Sequence, residues 1–434
     1  MEAVLARAFA LGGKVCQRPL NRYFHVPASP GRLSYMQQQL RRLHQRLAQQ
    51  NPRDEQHQEQ NNRRGVPDIL EQNWSMRHNN TAMENSDDPA VDPIRFATLR
   101  SIEEDRIREH KLELLLKRKP APICYVWCDP FPSMPISQGI IKTIYVNKMV
   151  KSGCKVKILM ADWFAQMNRQ IGGNLNKVRN IGLYNIEIWK AAGMALDRVE
   201  IVWLSDEISR HGDEYWPLVM DIARKNTVSG LTRSLRIRDP TEGLTSDEIF
   251  NPCLQCASML FQKVHIWLLS RDLHDAALLA TRYCKLVKRK NKPVAVLHNM
   301  PRSLLQYPER EIKRYPGWDI FMEDDKEFIC RKIEYAFCPP NVVKDNPCLG
   351  YIRYVILPLF GKFEVVRKKE NGGDKTFLSM EELAADYVSG ALHPSDVKLA
   401  LAKSLNDILQ PIRDHFGSSS EAKDVVKAIR NASC

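Results

Sequence analysis

The residues best suited to chemistry are few and widely spaced. Cys253 and Cys256 form a Cys-x-x-Cys pair, which is half of a tetrahedral zinc site. The other half needs a second ligand pair at similar spacing, and the sequence offers none. The expectation is therefore two buried thiols on one helix, and no metal. A second cluster, Glu309 to Arg314 (EREIKR), concentrates positive charge at Arg310, Lys313 and Arg314. By itself it reads as a solvated charged loop or the start of a helix. The remaining candidates come from the elements that must position them.

From about Ile94 the chain alternates short apolar runs with longer amphipathic stretches. ICYVWC (123–128), VKILMA (156–161), VEIVWLS (199–205), VHIWLLS (264–270) and PVAVLH (293–298) read as buried strands. Between them, residues 137–153, 175–193, 213–226 and 275–290 have helical periodicity, and Gly193 is placed to close the second of these helices. SIEEDRIREHKLELLLKRK (101–119) reads as a helix capped by Ser101. Strict alternation implies a doubly wound parallel sheet in an α/β fold. Such sheets bind ligands beyond the carboxyl ends of their strands, so the ends of 123–128, 199–205 and 264–270 are the expected sites of chemistry. After about residue 330 the texture is helical, which predicts an all-helical domain over 331–434 following a Rossmann-like domain over 96–330.

The first 95 residues differ in kind. Residues 1–50 carry eight Arg/Lys and one acid, and a Gln/Asn/Arg-rich stretch follows. This is the composition of a disordered arm. Its Arg-bearing start has features of a mitochondrial or plastid transit peptide, while Glu2 and the scarcity of Ser suit a plain basic tail. Over all 434 residues the net charge is +13 and 44% of residues are hydrophobic, which excludes collagenous and wholly disordered chains. An odd number of cysteines, 11, without a regular framework implies reduced thiols. No apolar run approaches the roughly 18–20 residues that span a bilayer, and no membrane partner is expected. The basic surplus admits an RNA partner.

The stretch 122–434 resembles tyrosyl-tRNA synthetase of the eukaryotic, plant cytosolic type, a class I synthetase. The resemblance rests on GIIKTIYVNKMVKSGCKVKILMADWFAQMN (139–168), EYWPLVMDIARKN (214–226), NPCLQCA (251–257), RKNKPVAVLHNM (289–300), FCPPNVVKDNPCLGYIRYVILPLF (337–360), GGDKTF (372–377) and the run 392–416. It implies a Rossmann catalytic domain, a helical anticodon-binding domain, a homodimer in the cytoplasm, and a reaction that joins tyrosine to tRNA using ATP with magnesium. Activation in this class involves no protein nucleophile, so catalysis is positioning and electrostatic stabilisation of phosphates.

The motifs that would do this work are altered. The family's Tyr-Asp-Gly-Phe-Glu-Pro-Ser-Gly-Arg-Met-His-Ile-Ala-Gln-Gly stands here as YVWCDPFPSMPISQG, Tyr125 to Gly139. Tyr125, which the resemblance assigns to the substrate phenol, is kept, as are Gln138 and Gly139 at the ATP site. Trp127 replaces the glycine that lets the adenylate approach, Pro132 replaces the second glycine, and Pro135 replaces the signature histidine. In the tyrosine pocket Asn251 replaces Tyr, Gln255 is retained and Ser258 replaces the Asp that accepts from the substrate hydroxyl. Leu273 replaces a Gln that contacts the amino acid. Arg310 and Lys313 fall where the two lysines of Lys-Met-Ser-Lys-Ser would lie. A proline cannot donate or carry charge, and an indole cannot take the place of a glycine without filling the pocket. The expected function is a synthetase-like protein with impaired or lost aminoacylation and a residual RNA-binding role. The alternatives are an active ligase with an altered ATP site, marked by tyrosine- and ATP-dependent pyrophosphate exchange, and a protein-interaction scaffold that binds no RNA.

Overall fold

The computed structural model describes residues 92–102, 109–167, 173–234, 245–305 and 318–431, all within one compact unit, Pro89–Cys434. The arm expected over 1–95 lies outside them except for its last four residues, which already belong to the folded part. Asp92 accepts from the Ile94 amide at 2.9 Å and Pro93 opens helix α1, Pro93–Arg100. This corrects the expected cap: Ser101 closes α1, its hydroxyl bonded to the Thr98 carbonyl at 2.7 Å. The next described helix is α2, Glu109–Arg118.

Strand β1, Ile123–Cys128, matches its expected bounds. A wide helical turn, Ser137–Ile141, leads into α3, Lys142–Lys151. Then come β2 (Lys155–Met160), α4 (Leu175–Ala191), β3 (Val199–Trp203), α5 (Leu204–Arg210), α6 (Gly212–Arg224) and α7 (Val228–Ser234). Gly193 follows α4 with a φ of 78°, the left-handed geometry that ends helices cheaply only at glycine. Helix α8, Ser246–Phe261, starts with a reciprocal cap between Thr245 and Glu248. The alternation is completed by β4 (Ile266–Leu269), α9 (His274–Leu286) and β5 (Val294–Leu297).

All five strands are parallel, in the order β3-β2-β1-β4-β5. The order reverses between β1 and β4, so the ligand crevice of a doubly wound sheet lies at those two carboxyl ends. The end of β3, expected to share in the chemistry, is at the sheet's edge instead. Both faces of β1 are buried, which is why its sequence is a continuous apolar run. Cys124, Val126 and Cys128 enter one core, and Tyr125 and Trp127 enter the other.

The region after residue 330 is mainly helical, with α10 (Lys326–Tyr335), a rod from Pro347 to Phe360, α11 (Met380–Ser389), α12 (Pro394–Ser418) and α13 (Ser420–Asn431). An unexpected hairpin, β6 (Phe363–Val365) with β7 (Lys375–Phe377), interrupts it. Its strands are three residues each, too short for a periodicity to show. The first core continues from Leu99 through the sheet and Ile333 to Ile412, so sheet and helices share apolar packing.

One stitch fixes the loop that follows β1. Ile136 donates to the Ile320 carbonyl at 2.9 Å and Met322 donates to the Met134 carbonyl at 2.8 Å, a bridge centred on Pro135 and Phe321. Glu323 reinforces it, accepting from the Met134 amide at 3.0 Å and the Tyr184 hydroxyl at 2.9 Å. Met322 in turn fills the space beside Gly139, where an added Cβ would lie 2.3 Å from its sulfur.

Two outcomes follow from this stitch. Gly139→Ala should lower unfolding stability by about 1–3 kcal/mol through overpacking, measured by urea denaturation. Burial raises Glu323 to about 7, so the folded state holds this proton more tightly than the unfolded chain does. The stabilisation is full below the ordinary value of 4.5 and is lost as pH rises through about 7. Melting temperature should therefore fall from pH 5.5 to 8.5 by at least about 2 °C more in the wild type than in Glu323→Gln.

Candidate functional site

The crevice between β1 and β4 is built around Trp127. Its side chain is 3% exposed and packs between Phe164 and Trp267, with ring centroids 5.3 and 6.2 Å away. The indole N–H donates to both oxygens of Asp129, at 3.2 and 3.3 Å. Its carbonyl accepts from the Lys142 ammonium at 2.8 Å. Lys142, buried to 2% exposure at the start of α3, thus reaches beneath the strand end. Burial pushes Asp129 up to about 6, with the Trp127 hydrogen bond and Lys142 opposing it and Asp272 adding to it.

Around the tryptophan, the residues expected to read tyrosine are engaged elsewhere. The Tyr125 hydroxyl donates to Gln262 Oε1 at 2.9 Å, and its ring lies 5.4 Å from Trp267. Ser258 is fully buried; its hydroxyl donates back to the Leu254 carbonyl at 2.9 Å and lies 3.4 Å from the Tyr215 hydroxyl. Asn251 and Gln255 precede it on α8 at helical spacing and are half-buried, and Asn251 Oδ1 is buried without a partner. Leu273, 5% exposed, packs in the same core as Tyr125 and Trp127. The structure therefore brings Tyr125, Trp127, Ser258 and Leu273 to one side of the sheet, as apolar packing with satisfied hydroxyls.

The expected ATP residues lie on the other side of β1. Pro135 sits in the stitch to Phe321, and its carbonyl accepts from the Gln138 and Gly139 amides at 2.9 and 3.0 Å. Pro132 is exposed beside Phe131, whose amide and carbonyl are both clamped by Asn185 at 2.8 Å. Gln138 is buried; its carbonyl accepts from the Trp189 indole at 2.8 Å, while its Oε1 has no partner. Arg310 and Lys313 lie outside the described residues.

Sequence reasoning passed over several polar groups here. Lys142, Gln262, Asn185 and His298 are buried. Each stands inside or beside an apolar run, and such an interruption was the available signal. His298, at the end of β5, is held neutral, lowered to about 4 chiefly by burial and then by Lys142. Farther along, fully buried Asp162 accepts from the Ser205 amide at 2.9 Å and its hydroxyl at 2.5 Å, tying β2 to α5. Cys253 and Cys256 are both buried on α8, where burial raises Cys253 to about 11. Among the described residues no group of three or more His, Cys, Asp or Glu is placed to hold a metal ion, and no helix is long and apolar enough to cross a membrane.

Comparison with known proteins places this geometry. Residues 119–410 match the family described as tRNA synthetases class I (W and Y). The chain is 49% identical over 338 residues to "Tyrosine--tRNA ligase 1, cytoplasmic" of Arabidopsis thaliana, covering 77% of this chain and 88% of that one. It is 46% identical to "Tyrosine--tRNA ligase 2, cytoplasmic" of the same plant, covering 78% of this chain but only 45% of that protein. A solved structure of the Leishmania major enzyme in complex with tyrosinol superposes with a TM-score of 0.70 at 36% identity, covering 78% of this chain and 65% of that one. The chain belongs to the tyrosyl-tRNA synthetase family of class I aminoacyl-tRNA synthetases.

Proposed function

We propose that this protein keeps the synthetase scaffold and an affinity for RNA but no longer activates tyrosine. The observation that carries the reading is the buried Trp127 indole. It stands where the family motif has a glycine, packs on Phe164 and Trp267, and is bonded to Asp129. The space that a substrate ring and the adenylate would need beside β1 is occupied by the chain's own side chain. Ser258 supports the same reading, since its hydroxyl is bonded within α8 and toward Tyr215 and offers no carboxylate to a phenol. A lost partner of that kind removes discrimination of about 10⁴–10⁵.

ATP with magnesium is what the family reaction consumes, and the described residues do not fit the nucleotide. Met322 takes the room beside Gly139, Pro135 supplies neither a donor nor charge, and Trp127 closes the approach.

RNA remains the favoured partner. The net charge of +13 suits a polyanion, and the segments 372–377 and 392–416, which carry part of the resemblance, lie in the helical region after residue 330. A homodimer in the cytoplasm is the matching arrangement; exposed Trp216 and Met220 on α6 provide an apolar surface for it.

The experiment is tyrosine-dependent pyrophosphate exchange with the full chain beside a plant cytosolic enzyme. Three lost contacts at roughly 2–4 kcal/mol each put the expected rate at least about 10⁴-fold below the control. A rate within tenfold of it would overturn the reading. The double variant Trp127→Gly, Pro135→His should stay inactive, because Ser258 and Leu273 remain. It should also lose about 3–5 kcal/mol of stability with the indole's packing. Anisotropy with a labelled tRNA should show binding that weakens steeply with salt; no binding at low salt would favour a protein scaffold.

A further inference from the structure

A separate cavity of about 390 Å³ opens on the same side of the sheet as Trp127, along β4 and toward the amino-terminal end of β5. Its volume is within the range of small-molecule sites. Trp267, Leu260, Ala280 and Cys284 give it an apolar interior. Ala277 and Ala280, one turn apart on α9, leave the room that larger side chains would fill. Thr281 adds no spare donor, since its hydroxyl is bonded to the Ala277 carbonyl at 2.8 Å.

The rim carries the argument. Lys111 and Arg118 from α2, Lys285 from α9 and Lys292 from the approach to β5 line the opening, and among the described residues no carboxylate lines it. All four cations are exposed. The field of one of them reaches inward: after Arg289, which does not line the cavity, Lys292 opposes the rise that burial imposes on the Cys284 thiol. A pocket with an apolar floor and a rim of one sign recognises a molecule with an apolar body and an opposite charge at one end.

We propose that this groove is a binding site for a small anionic amphiphile, an acyl body ending in a carboxylate. The chain enters between α9 and β4, and the carboxylate stays at the rim among the lysines, where it keeps part of its hydration. The site is distinct from the β1–β4 crevice. The two adjoin along β4, where the Trp267 ring packs on Tyr125 and Trp127 and Leu269 ends the strand.

Isothermal titration of the full chain with decanoate, decan-1-ol and decyltrimethylammonium tests this. Decanoate should bind saturably at one site, with the alcohol at least about tenfold weaker and the cation showing no saturable binding. Ala280→Phe should weaken decanoate by at least about tenfold by filling the interior. The surface pair Lys285→Glu, Lys292→Glu, which leaves the core untouched, should weaken decanoate by a similar factor and leave decan-1-ol within about twofold. Equal affinity for decanoate and decan-1-ol, no saturable binding of decanoate, or decanoate affinity unchanged in both variants would overturn the proposal.

Discussion

The arrangement of the site depends on one packing decision, the burial of the Trp127 indole against Phe164 and Trp267. A tryptophan buries a large apolar area and needs a partner for its N–H; Asp129 supplies that partner from two residues away. Once the indole is in place, the neighbouring groups are satisfied by the protein itself. Tyr125 bonds Gln262, Ser258 bonds its own helix, and Leu273 joins the core. In a close-packed interior an indole of this size leaves its neighbours no free volume, so these contacts pack as one cluster.

The scaffold around this change is intact, and it shows why a retained motif residue need not report retained chemistry. Gly139, which the resemblance puts at the ATP site, lies so close to Met322 that an added Cβ would force that side chain to move. Gln138 is held through its backbone by Trp189. Pro135, where the resemblance would put the signature histidine, is accommodated in the backbone bridge to residues 320–322. The buried Asp324–Lys332 ion pair, at 2.7 Å, fixes the same segment from α10, and Arg413 of α12 donates to the Asp324 carbonyl at 2.9 Å. Sheet and helical region are thus joined by polar contacts as well as by a shared apolar core.

Much of the architecture was legible in the sequence, because buried parallel strands write themselves as short apolar runs. β1 matched its expected bounds, and the other strands matched within about two residues. Strand order was not legible, since periodicity says nothing about which strand neighbours which; the end of β3 was therefore overvalued. Ser101 closes α1 rather than opening the next helix, and the start signal of α1, Asp92-Pro93, lay in the stretch assigned to the arm. The residues Trp127, Pro135, Ser258 and Leu273 were legible, and it is the resemblance that makes them departures from the family motif. What could not be read was how they had been absorbed. Gln262 taking the Tyr125 hydroxyl and Lys142 taking the Trp127 carbonyl join residues 137 and 15 positions apart in the chain, and no local pattern encodes those pairings.

The central claim concerns space, so the most direct test is equilibrium binding of L-tyrosine without ATP, measured by titration calorimetry on the full chain. The account predicts no saturable binding up to about 1 mM, which corresponds to less than about 4 kcal/mol of affinity. Saturable binding of one tyrosine per chain at micromolar concentration would contradict it, since the ring would then have found room beside β1 despite the indole.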